Sequence, residues 1–121
     1  MGLVPSAELI WGIPITNEYD DEDRPPRFWN EEADDWDETS GLKIEPFGHY
    51  EDDVQRAILS HPSVPSFDGD AWETKKINTL KLDLSARTVH EFCVQVQALV
   101  GDEHAREMFG SLGWHLVASY G

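Results

Sequence analysis

The sequence predicts an α+β fold, a mainly antiparallel sheet of about four strands with a helix pair packed on one face. Three observations carry this. Alternating apolar residues mark strands near both ends, at residues 7–15 and 112–120. Between Ser85 and Gly110 the apolar spacing changes to three and four residues, the helical period. The strands are grouped before the helices, with one more after them, an order that segregates helices to one side of a sheet.

The first strand reads AELIWGIPI over residues 7–15, with Leu9, Trp11, Ile13 and Ile15 sharing one face. Pro14 has no N–H to give a ladder, so the strand is expected to reach an edge or leave the sheet there. Residues 18–53 then hold fifteen Asp and Glu against Arg24, Arg27 and Lys43, a local charge of minus twelve out of minus fifteen for the chain. Like charge, Pro25-Pro26 and the lack of a sustained repeat predict a long loop. Phe28, Trp29 and Trp36 are unusual in a solvated linker and are expected to pin it to the domain. One domain over residues 1–121 with an acidic loop insertion at 16–40 follows, the length suiting a single core.

Gly41 opens a second strand through Tyr50, with Leu42 and Ile44 alternating against Lys43 and Glu45. The run Ala57, Ile58, Leu59 suits a strand or a helix, and a strand hairpinned through Glu51–Asp53 is preferred. Residues 61–70 contain two prolines and a glycine and are expected to be loop, and the basic cluster Lys75, Lys76 and Lys81 a connector. Ser85 is a good N-cap for a helix whose apolar residues are Val89, Phe92, Cys93, Val96, Leu99 and Val100, with Gly101 as stop. Asp102 starts a shorter helix carrying Ala105, Met108 and Phe109, which Gly110 ends. In the last strand, Leu112, Trp114, Leu116, Ala118 and Tyr120 form the expected apolar face.

Chemistry-bearing patterns are sparse. Asp35, Asp37 and Thr39 match the first positions of a calcium loop, but Ser40 stands where glycine is needed and Pro46 where a bidentate Glu is needed. The five histidines lack paired metal spacing, and one cysteine cannot build a cysteine-rich zinc site. Cys93 lies on a helical apolar stripe, the place of a structural thiol rather than a nucleophile. No nucleophile elbow or glycine-rich phosphate loop is present. No enzymatic activity, metal or cofactor is therefore expected. The lone cysteine suits a reducing compartment, and no segment approaches the ~20 apolar residues of a membrane span, so a cytoplasmic location is expected.

A charge of minus fifteen repels phosphate, so neither direct nucleic acid nor anionic membrane is an expected partner. A basic protein surface is. Concentrating the acid raises local self-repulsion that dispersed charge would avoid, and aromatics are interleaved with it at Phe28, Trp29, Trp36, Phe47 and Tyr50. Charge would steer a basic partner in and the aromatics would hold it. Side chains on one face of an extended chain recur every ~6.6 Å, of the order of phosphate spacing, so a DNA-mimicking surface is available. The candidate partner-binding residues are Asp20, Asp21, Glu22, Asp23, Glu31, Glu32, Asp34, Asp35, Trp36, Asp37, Glu38, Glu51, Asp52 and Asp53.

AELIWGIPI, GHYEDDVQRAILSHPSV and the closing GWHLVASYG give the chain a look that resembles the small proteins of unknown function encoded by bacteriophages. In size and charge it is also similar to the phage anti-CRISPR and antirestriction proteins, which inhibit host nucleic-acid enzymes by presenting carboxylates in place of phosphates. That resemblance implies an inhibitor of a nucleic-acid-handling host complex. It transfers no residue roles, because those inhibitors share a surface property and not a motif. Two other classes stand beside it: a small ligand-binding or enzymatic domain with His49, His115 and Asp53 converging between helix and sheet, and a virion structural or assembly protein. Homodimerisation through residues 112–120 or the edge near Pro14 is compatible with all three.

Overall fold

A computed structural model of the chain describes residues 5–18, 28–37, 41–49, 54–70 and 82–120. The architecture is α+β. Its strands are β1 (Pro5–Thr16), β2 (Trp29–Asn30), β3 (Asp35–Trp36), β4 (Lys43–His49), β5 (Arg56–Ser60), β6 (Phe67–Asp70) and β7 (Gly113–Tyr120), and its helices α1 (Ala86–Val100) and α2 (Asp102–Phe109) precede β7. Five strands form the main sheet in the order β5-β4-β7-β1-β6, while β2 and β3 make a separate hairpin.

The sheet closes on itself through β1. Its first part pairs with β7 from Pro5↔Tyr120 to Gly12↔Gly113, and from Ile13↔Leu59 to Thr16↔Arg56 it pairs with β5 instead. Strand β4 makes the complementary change, pairing antiparallel with β5 up to Phe47↔Arg56 and parallel with β7 at Gly48↔Ser119. Four strands thus form a circuit, with β6 attached outside along Ser6–Leu9 of β1. Both changes of partner occur at a glycine with positive φ, Gly12 at 153° and Gly48 at 96°. Such corners are where sheets bend without side-chain obstruction.

Pro14 sits beyond the first corner, where β5 is its only ladder neighbour among the described residues. Asn17 N–H donates to Gln55 O at 3.1 Å, and antiparallel alternation then turns the Pro14 nitrogen away from β5. Its missing N–H leaves that ladder intact.

Closure buries both faces of β1 and β5, which explains their consecutive apolar residues. Trp11, Ile13, Ala57 and Leu59 join Leu42, Ile44, Val64, Phe92, Val96 and Ala105 in the principal core under the helices. Ile10, Ile58 and Val117, with Phe47 against them, form a second cluster on the other face. Ser85 caps α1, its Oγ accepting from Thr88 N–H at 3.1 Å, and Phe92 meets Trp11 edge-on at 4.9 Å between centroids.

Two expectations are corrected. Residues 67–70, expected as loop, form β6, because the edge of β1 supplies a ladder that local composition does not reveal. With β6 the main sheet has five strands, in keeping with the expected mainly antiparallel sheet of about four. In β7 the expected apolar face is only partly buried: Leu116 is 76% exposed, whereas Val117, on the opposite face, is buried with Ile10 and Ile58. Trp114 keeps its place, packing on the principal core and donating Nε1–H to Leu82 O at 3.0 Å.

Candidate functional site

The acidic stretch contains a folded hairpin. Trp29 pairs with Trp36 and Asn30 with Asp35, and Asp37 N–H donates to Phe28 O at 2.8 Å to close the ladder. The turn is held by Asn30, whose Oδ1 accepts from the N–H groups of Glu32 (3.0 Å) and Ala33 (3.2 Å). Asp34 then takes the left-handed conformation, φ 53°, which Asp and Asn tolerate better than other non-glycine residues. Asp35 Oδ1 accepts from Trp36 N–H at 2.7 Å.

Aromatic residues fix this hairpin to the domain. Phe28 is buried in the principal core, and Trp36 packs against that core. Trp29 meets Trp36 edge-to-face, centroids 5.0 Å apart and planes at 87°. The carboxylates of Glu31, Glu32, Asp34 and Asp35 remain in solvent.

Between the hairpin and the sheet lies a recess of about 460 Å³. Trp29, Trp36, Asp34 and Asp35 form one side, with Asn17, Pro46 and Gln55 opposite. Asn17 and Gln55 are tied to each other twice, Asn17 N–H donating to Gln55 O and Gln55 N–H donating to Asn17 Oδ1 at 2.9 Å. Of the candidate partner-binding residues, Asp34, Asp35 and Trp36 are brought together here, while Glu31 and Glu32 stand at the turn and Asp37 at the hairpin base. Asp20, Asp21, Glu22, Asp23, Glu38, Glu51, Asp52 and Asp53 lie outside the described residues. Asn17 and Gln55 escaped sequence reasoning because only register brings two neutral amides beside the hairpin.

A second groove of about 470 Å³ runs along α1, lined by His61, His90, Glu91, Val94, Gln95 and Ala98. His61 Nδ1 accepts from Ser63 N–H at 3.2 Å, which leaves the Nε2 proton facing Glu91 Oε2 at 3.6 Å. Glu91 is also bound by Arg87 at 3.1 Å. Elsewhere, His115 Nε2–H donates to Ser111 O at 2.7 Å, a local bond within one turn. The side chain of His49 and all of Asp53 fall outside the described residues, so their expected convergence with His115 does too. Burial pushes the Cys93 thiol up, which disfavours the thiolate.

Among the described residues, no three His, Cys, Asp or Glu side chains are grouped to hold a metal ion. No helix there is long and apolar enough to cross a membrane. The fold and site together define a small α+β domain carrying an acidic, tryptophan-lined hairpin. No family model, curated protein or solved structure matches the chain.

Proposed function

We propose that this is an interaction protein, an inhibitor of the phage-encoded kind it resembles in size and charge, whose acidic surface blocks a basic site on a nucleic-acid-handling host complex. The observation that carries the proposal is the pairing of charge with structure. The segment with most of the net charge is also one in which Phe28 and Trp36 hold a hairpin against the core, so the carboxylates of Glu31, Glu32, Asp34 and Asp35 are displayed from a fixed support. A stretch that merely solubilised the chain would not need buried aromatics to hold it in place. Preorganised charge raises association rates and limits the ordering entropy lost on binding.

The test is capture from bacterial lysate at low and high salt, with bound proteins identified and then assayed for inhibition. Binding that weakens steeply with salt, and that disappears when Asp34, Asp35, Asp37 and Glu38 are together changed to Asn or Gln, supports the proposal. A quadruple variant that binds and inhibits like the parent ends it.

A further inference from the structure

We propose that the recess beside Trp29 and Trp36 is a receptor for a single arginine side chain projecting from the basic partner. This rests on the reading above, and it adds the chemistry of the contact.

The recess offers two carboxylates and two indoles to one occupant. Asp34 makes no hydrogen bond or ion pair among the described residues, and Asp35 uses only Oδ1. In an edge-to-face pair, the ring contributing its edge keeps both of its faces clear of the other ring. A guanidinium is planar, can stack on such a face and can donate to carboxylates on its rim, so it uses both features at once. An ammonium would use the charge but could not match the planar fork. A bare divalent ion is poorly served, because indoles are not ligands and no third carboxylate or imidazole completes a cluster among the described residues. The amides of Asn17 and Gln55 stand opposite on hydrogen-bonded backbone, giving polar walls without opposing charge.

The double variant Asp34→Asn/Asp35→Asn separates charge from folding. Asn keeps the left-handed preference needed at 34 and the oxygen that accepts from Trp36 N–H at 35. The full chain, labelled for indole N–H resonances, is titrated at low salt with acetyl-Gly-Arg-Gly-amide and with its neutral citrulline and lysine counterparts. Expected are saturable shifts at Trp29 and Trp36 with the arginine peptide, about tenfold weaker apparent affinity for the citrulline peptide and for the double variant, and an intermediate response to lysine. Equal response to arginine and citrulline, unchanged binding by the double variant, or shifts confined to other tryptophans would overturn the assignment. The two levels fail separately. If the recess takes the arginine peptide but lysate capture yields no basic partner, the inhibitor reading fails and the receptor stands. If a captured partner tolerates Asp34→Asn/Asp35→Asn but not the quadruple change, the receptor fails and the reading stands.

Discussion

Gly12 lies against the Leu59 carbonyl so closely that a Cβ at position 12 would come within 2.0 Å of that oxygen. The contact is at the corner where β1 exchanges β7 for β5, so the closure of the sheet depends on it. The obstacle is backbone, which no rotamer change relieves. Gly12→Ala is therefore expected to cost about 3 kcal/mol or more, a large part of a small domain's stability. Gly48→Ala is the control, since its Cβ would meet nothing within 4 Å and only the positive φ is penalised, at about 1 kcal/mol. Urea unfolding compares them, and equal midpoints would remove the corner argument.

Ser60 is wholly buried at the end of β5, and its Oγ has no hydrogen-bond partner among the described residues. A buried hydroxyl without a partner carries a desolvation cost of about 1–3 kcal/mol, and Ser→Ala removes the group with little change in volume. Ser60→Ala is thus expected to stabilise, by about 1 kcal/mol in urea titration. A clear loss of stability would mean that the hydroxyl is satisfied in solution.

The carboxyl of Glu8 is pushed up, first by burial and then by the nearby charges of Glu45 and Asp68. A raised native pKa means the folded state holds its proton more tightly than the unfolded chain. The contribution to stability is then fully present below the ordinary glutamate range, falls as pH rises through it, and levels off above the native pKa. Glu8→Gln should remove this slope and gain most over the parent at neutral pH, with the difference vanishing in acid. Thermal unfolding of both proteins between acid and neutral pH measures it, and a difference that grows toward acid has the wrong sign.

Much of this framework is legible before any coordinates. Ser85, Gly101 and Gly110 bound both helices in sequence, because caps act over three or four residues and their chemistry is local. Strands β1, β4, β5 and β7 announce themselves through alternation or apolar runs. What is hidden depends on pairing. Phe67–Asp70 becomes a strand because β1 has an open edge there, and Val117 is chosen over Leu116 by a circuit that no local pattern encodes. At the site, Phe28, Trp29 and Trp36 signal that the acidic stretch is tethered, yet the recess needs Asn17 and Gln55, which only the β1–β5 register delivers.

Trp36 joins the hairpin to the core and borders the recess, so its loss should be felt after encounter rather than before it. Association is steered by the net charge, which Trp36→Ala leaves untouched. The variant is expected to bind an identified partner with an unchanged association rate and a dissociation rate raised about tenfold or more, as for an aromatic hot spot. Stopped-flow measurement of both rates decides, and slowed association would place the role of Trp36 in maintaining the shape of the acidic surface instead.

The quadruple neutral variant at Asp34, Asp35, Asp37 and Glu38 distinguishes a surface that does something from one that is merely tolerated. Like charges crowded within a short segment repel one another, so neutralising four of them should leave folding stability unchanged or raise it at low ionic strength. The gain should shrink as salt is added, because the screening length falls from ~30 Å at 0.01 M to ~3 Å at 1 M. Stability and binding would then move in opposite directions in one protein: the variant folds at least as well and captures less. Thermal unfolding across a salt series, run beside partner capture on the same preparations, tests both. A variant less stable than the parent at every salt concentration would mean that these carboxylates hold the hairpin together, and its loss of binding would then be a loss of structure.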